Sequence, residues 1–151
     1  MRFVATIVVS ALAFSLSCVR ALAIDERIAD PQAMAALIAK ADQAGPKEQC
    51  FLYAELVHQM TELAGQQFSS GDEDHASATL RLVQRYTEKI HMGVAEDGKK
   101  LKNAEQLIQH TSYRLTGILN AASYEDRQVL QATLKQLEQV QTELMMQVFK
   151  K

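Results

Sequence analysis

The stretch Val94-Ala95-Glu96-Asp97-Gly98-Lys99-Lys100-Leu101, "VAEDGKKL", decides how this chain folds. Asp-Gly is ordinarily a turn signal. Yet the apolar register runs through it. On the N-terminal side, Ala76, Leu80, Val83, Thr87, Ile90 and Val94 alternate steps of three and four. Asp97 keeps the step, and Leu101, Ala104, Ile108, Thr111, Leu115, Ile118 and Ala122 continue it. A reversing loop has no reason to preserve helical phase. The charges argue the same way. A break would end one helix in acids and begin the next with lysines, opposing both helix dipoles. Within one helix, Glu96 instead pairs with Lys99 and Lys100 in the favourable order. The expectation is therefore a single helix over about 72–121, roughly 75 Å long. The alternative is a compact four-to-five-helix up-down bundle broken at Asp97-Gly98, where Gly weakens a helix by about 1 kcal/mol.

Working outward, the remaining segments also read as helices. Ala, Leu, Gln, Glu and Lys dominate and no run alternates as a strand would, so the class is all-α. Asp30 and Pro31 open a first short helix with Met34, Leu37, Ile38 and Ala41 on one face. Gly45-Pro46 ends it and begins a second, striped by Cys50, Tyr53, Val57, Met60, Ala64 and Gln67/Phe68. "SSGDED" stops that helix, and Ser70 with Glu73 fits a capping box for the next. A last helix begins at Ser123, with Asp126 closing a second box, and presents Leu130, Leu134, Leu137, Val140, Leu144 and Val148. The expected core includes Leu80, Leu101, Ile108, Leu115, Leu130, Leu137 and Leu144.

The N-terminus reads "MRFVATIVVSALAFSLSCVRALA". A basic start, an apolar run from Phe3 to Leu16 and small residues at Ala21 and Ala23 describe a secretory signal peptide. The run is too short and wrongly flanked for a stable membrane span. The expected organisation is a signal peptide over 1–23, then one α-helical domain over 24–151, periplasmic or secreted. Cys18 gives a lesser alternative of lipid attachment, weakened by Ser15 where an aliphatic residue usually stands. Cleavage would leave Cys50 as the one cysteine, with no internal disulfide open to it. A formal net charge of −2, with no basic cluster beyond "KKLK", gives no electrostatic footprint for nucleic acid.

Two Glu-x-x-His pairs, Glu55/His58 and Glu88/His91, resemble the spacing from which di-iron and di-manganese sites are built in helical bundles. Such a site needs both pairs facing the interior, with two further carboxylates. The stripe through Tyr53, Val57 and Met60 places Glu55 opposite it and His58 beside it. The stripe through Thr87, Ile90 and Val94 leaves Glu88 and His91 one step off the core. Folding about "SSGDED" separates the two histidines by about 7–12 Å along the axis. Solvated helix faces are the leading reading, and a metal or small-ligand site on these four residues is the alternative. Cys50 reads as a small buried apolar residue, and Met145-Met146 as core or interface. Phosphate loop, haem attachment and nucleophile–base motifs are missing from the sequence, so no catalytic residue and no cofactor is assigned. The functional expectation is an exported, non-catalytic helical protein with a structural or interaction role in the cell envelope or outside the cell, contacting a protein partner, another copy of itself or the envelope. A 50-residue helix has difficulty burying its stripe within so short a chain, and exposed apolar surface favours partners.

Overall fold

The computed structural model describes residues 30–92 and 98–150, except the side chains of Lys47, His91, Met92 and Lys99. These residues form five helices and no strand: α1 (Pro31–Gln43), α2 (Pro46–Ser69), α3 (Glu73–Met92), α4 (Gly98–Ala121) and α5 (Arg127–Val148). The all-α class and the bundle are as expected.

The single long helix is not. Tyr53 of α2 stacks on Tyr86 of α3, and Gln67 of α2 accepts from Thr79, so α2 and α3 run antiparallel. Against α4 the partners are Glu48–Lys100, His58–Thr111 and Glu62–Arg114, all at sequence separations of 52 or 53, so α2 and α4 run parallel. Therefore α3 and α4 point in opposite directions and are not one continuous helix. Asp97 itself lies outside the described residues. Among those residues the backbones of α3 and α4 do not approach each other. Each packs on α2 and on α5, which gives a four-helix square with α1 added against α2.

Two features explain why the register misled. Every described stripe residue from Ala76 to Leu115 is buried, because α3 and α4 both aim that stripe at one core. Phase records which face is buried, and carries no information about direction. Lys100 at the α4 start also has a tertiary partner. Parallel neighbours place their N-termini side by side, and Glu48 in the first turn of α2 pairs with Lys100 in the first turn of α4. That carboxylate offsets the unfavourable position of the cation at its own helix end. The Lys100 bond also holds Glu48 below the ordinary carboxylate range.

The caps follow the sequence at one end and depart from it at the other. Asp30 caps α1 by accepting from the Gln32 N–H, and Pro31 and Pro46 open α1 and α2. Ser70, expected to start α3, instead ends α2. Gly71 takes a positive φ of 77°, its N–H bonds the Phe68 carbonyl, and the Asp72 N–H bonds the Gln67 carbonyl. That is a Schellman closure, which needs the residue without a Cβ at Gly71. Ser123 and Asp126 bond each other as expected, but α5 begins only after them.

All seven expected core leucines and isoleucine are buried. The core also holds one completely buried threonine per long helix: Thr61, Thr87, Thr111 and Thr133. Each hydroxyl donates to the carbonyl four residues earlier, at 2.7–2.9 Å. A buried hydroxyl without a partner costs free energy, and this back-bonding supplies the partner within the same helix.

Candidate functional site

The polar chemistry of the bundle gathers on the seam where α2 and α4 run side by side. A constant separation of 52 residues makes successive rungs. Glu48–Lys100 is the lowest, His58–His110 the middle and Glu62–Arg114 the next turn above. Arg114 Nε lies 3.1 and 2.9 Å from the two Glu62 carboxylate oxygens. The apolar side of the seam is closed by Gly65, where an added Cβ would stand 2.9 Å from Ile118 Cδ1. A Cβ at this level would require the Ile118 terminal methyl to shift.

His58 is half-buried, and its Nδ1 lies 3.0 Å from Thr111 Oγ1. The Thr111 hydroxyl hydrogen is already donated to the Leu107 carbonyl at 2.7 Å. The imidazole is therefore the donor, which fixes the Nδ1–H tautomer and leaves the Nε2 lone pair unprotonated. Burial pushes the His58 pKa below its ordinary 6.5; Glu62 opposes this, and His110 and Arg114 add to it. The His110 ring stands beside it, with centroids 5.3 Å apart and planes tilted by 57°.

This geometry gives a pH prediction. As pH falls through about 6.5 the unfolded chain protonates His58 before the folded chain does, so unfolding takes up a proton and stability declines. Exposed His75 has the opposite sign, because its bond to Asp72 raises its pKa. An NMR titration of the imidazoles should show His58 titrating below 6.5 and His75 above it. The reverse order would contradict the assigned hydrogen bonds.

A second cluster fastens α1. Tyr53 donates its hydroxyl to Asp42 Oδ1 at 2.7 Å, and Lys89 reaches the same oxygen at 2.8 Å. The Lys89 ammonium sits 5.0 Å from the Tyr53 ring centre and 5.3 Å from that of Tyr86, a cation–π arrangement. Gln49 Nε2 donates to the Ala41 carbonyl at the end of α1. Lys89 and Tyr53 hold Asp42 below the usual carboxylate range, while the bond to Asp42 raises Lys89. Burial, and then the same carboxylate, raises Tyr53. Cys50 is buried too, and desolvation pushes its thiol up to about 11, where it is inert as a nucleophile.

At the other end of the bundle a cleft of about 450 Å³ opens between Gly65, Phe68, Glu73, Ile118, Ser123 and Asp126. No basic side chain lines it. The Ser123 hydroxyl ties to Asp126 across its rim at 2.5 Å.

A comparison with known protein families, curated proteins and solved structures found no match.

The structure separates the Glu-x-x-His residues as far as they are described. His58 turns toward α4, not toward α3, where the second pair lies. It is not on a solvated face, because α2 faces two long helices and the second of them covers this side. Glu55 is half-exposed beside it, and Glu88 is exposed on α3. The His91 side chain lies outside the described residues. Among those residues no three His, Cys, Asp or Glu side chains gather as a metal cluster. His110, which does meet His58, is missed by a search for Glu-x-x-His; its signal is the 52-residue repeat between parallel helices, readable only once the reversal is known.

Proposed function

We propose that this chain is an exported, non-catalytic helical protein whose surface contacts a protein partner or a second copy of itself. The observation that carries the reading is apolar exposure at the end of α5. Met145, Met146 and Phe149 are 42%, 56% and 77% exposed, and Met145 and Phe149 share one helix face. Flexible Met beside an aromatic residue is a composition favoured at adaptable protein contacts. The described charged groups support a structural role, since Asp42, Glu48, Glu62, Lys89, Lys100 and Arg114 all serve as ties between helices. Export rests on the signal-peptide pattern of residues 1–23, which lie outside the described residues. No helix among the described residues is long and apolar enough to cross a membrane.

Cross-linking in the native host tests the reading, with a photoreactive group at position 146 and mass spectrometry of the mature N-terminus. Export predicts a chain beginning at Ile24, and the interaction predicts one defined adduct lost when Phe149 is replaced by Ser. An intact Met1 in the cytoplasm, or no adduct from position 146, would contradict it.

A further inference from the structure

We propose that His58 and His110, facing each other across the α2–α4 seam, bind one divalent transition-metal ion of the zinc, copper and nickel class through their ring nitrogens. Three observations carry this. The first is distance. Metal–nitrogen bonds of about 2.0–2.1 Å and a tetrahedral angle place two ligating imidazole centres about 5 Å apart, and the two ring centres stand 5.3 Å apart.

The second is preparation of the ligand. His58 donates Nδ1–H to Thr111, whose own hydrogen goes to Leu107. That is the outer-shell bond by which metal-binding histidines are held in one tautomer and one orientation. It leaves Nε2 with its lone pair, the state a cation requires. Among the described residues no side chain occupies that nitrogen with a hydrogen bond.

The third is rigidity. The two rings project from helices whose register is fixed above by Glu62–Arg114 and below by Glu48–Lys100. A site on packed helices holds its geometry better than one on loops. Two imidazoles leave the remaining positions to water, which suits borderline ions that accept mixed nitrogen and oxygen ligands. The carboxylates of Glu55 and Glu62 act electrostatically on His58 in favour of positive charge, against Arg114 and His110. The ligand set therefore differs from the Glu-x-x-His alternative: His110 replaces His91, and α4 replaces α3.

Calorimetric titration of the metal-free full chain with Zn²⁺ and with Cu²⁺ at pH 7 tests this. One ion should bind per chain, with His110→Ala abolishing that site. His110 is exposed, so this variant keeps the fold. Thr111→Val should weaken binding at least about tenfold, the usual loss when an outer-shell partner is removed. His75→Ala and His91→Ala should leave the isotherm unchanged. Absence of binding, binding indifferent to His110→Ala, or loss of the site in His91→Ala or His75→Ala would each overturn the proposal.

Discussion

Truncating Tyr53 to Ala should lower the free energy of unfolding by about 3–5 kcal/mol, the range for removing a buried aromatic side chain. Tyr53 is 3% exposed in the middle of three helices. Its ring stacks on Tyr86 with centroids 6.0 Å apart, carries the Lys89 ammonium on one face and offers its hydroxyl to Asp42. Truncation removes the ring and leaves Asp42 and Lys89 without the surface that orders them. Tyr53→Phe separates the two contributions. It keeps the ring and deletes the short bond to Asp42 with two long contacts, from Gln49 at 3.5 Å and Lys89 at 3.4 Å, so it should cost only about 1 kcal/mol. Because α1 packs its backbone on α2 and is tied to α3 through Asp42–Lys89, beside Tyr53 itself, the loss should be local first. Amide exchange over Pro31–Gln43 should accelerate before that of α4 and α5. A Tyr53→Ala protein as stable as the parent in denaturant would show that α1 is not held through this side chain.

Leu115→Ala should cost about 2–5 kcal/mol, by loss of transfer free energy and a cavity that rigid neighbours only partly fill. Leu115 is completely buried and sits on α4, between the helices on which α4 packs. Leu82 supplies the comparison: it lies on α3 at 41% exposure, and Leu82→Ala should stay within about 0.5 kcal/mol. Equal losses at the two positions, measured by denaturant unfolding, would mean that the buried stripe is misplaced.

Much of this core was legible in the sequence, for a physical reason. Three-four spacing states which residues share a helix face, and Leu80, Ile108, Leu115, Leu130, Leu137 and Leu144 are buried as that spacing requires. Directions were not legible. The register carried across residues 93–97 looked like one helix, and Lys100, which argued against a break, is answered by Glu48, distant in sequence and adjacent in space. The same error hid part of α2. Leu52, Ala54, Leu56 and Thr61 lie off the single stripe assigned to it, yet all are buried. An elongated arrangement gives α2 one long neighbour, whereas the bundle gives it α3, α4 and α1. A helix packed on several sides needs apolar residues around most of its circumference. The candidate site failed for the same cause. His58 is a seam residue only if α4 returns alongside α2, so its partners Thr111 and His110 could not be chosen from spacing within one helix.

The parallel pairing of α2 with α4 is thus the claim on which fold and site both depend, and one distance tests it. Spin labels at Glu62→Cys and Arg114→Cys, in a Cys18→Ser, Cys50→Ala background, report the separation of two side chains that touch in the bundle at 2.9 Å. Neighbouring helix axes stand about 8–10 Å apart, so with the label arms the distribution should centre below about 25 Å. With α3 and α4 joined in one straight helix and α2 folded along its first half, the same labels would lie about 50 Å apart at helical rise. A distribution centred near that longer distance would contradict the account.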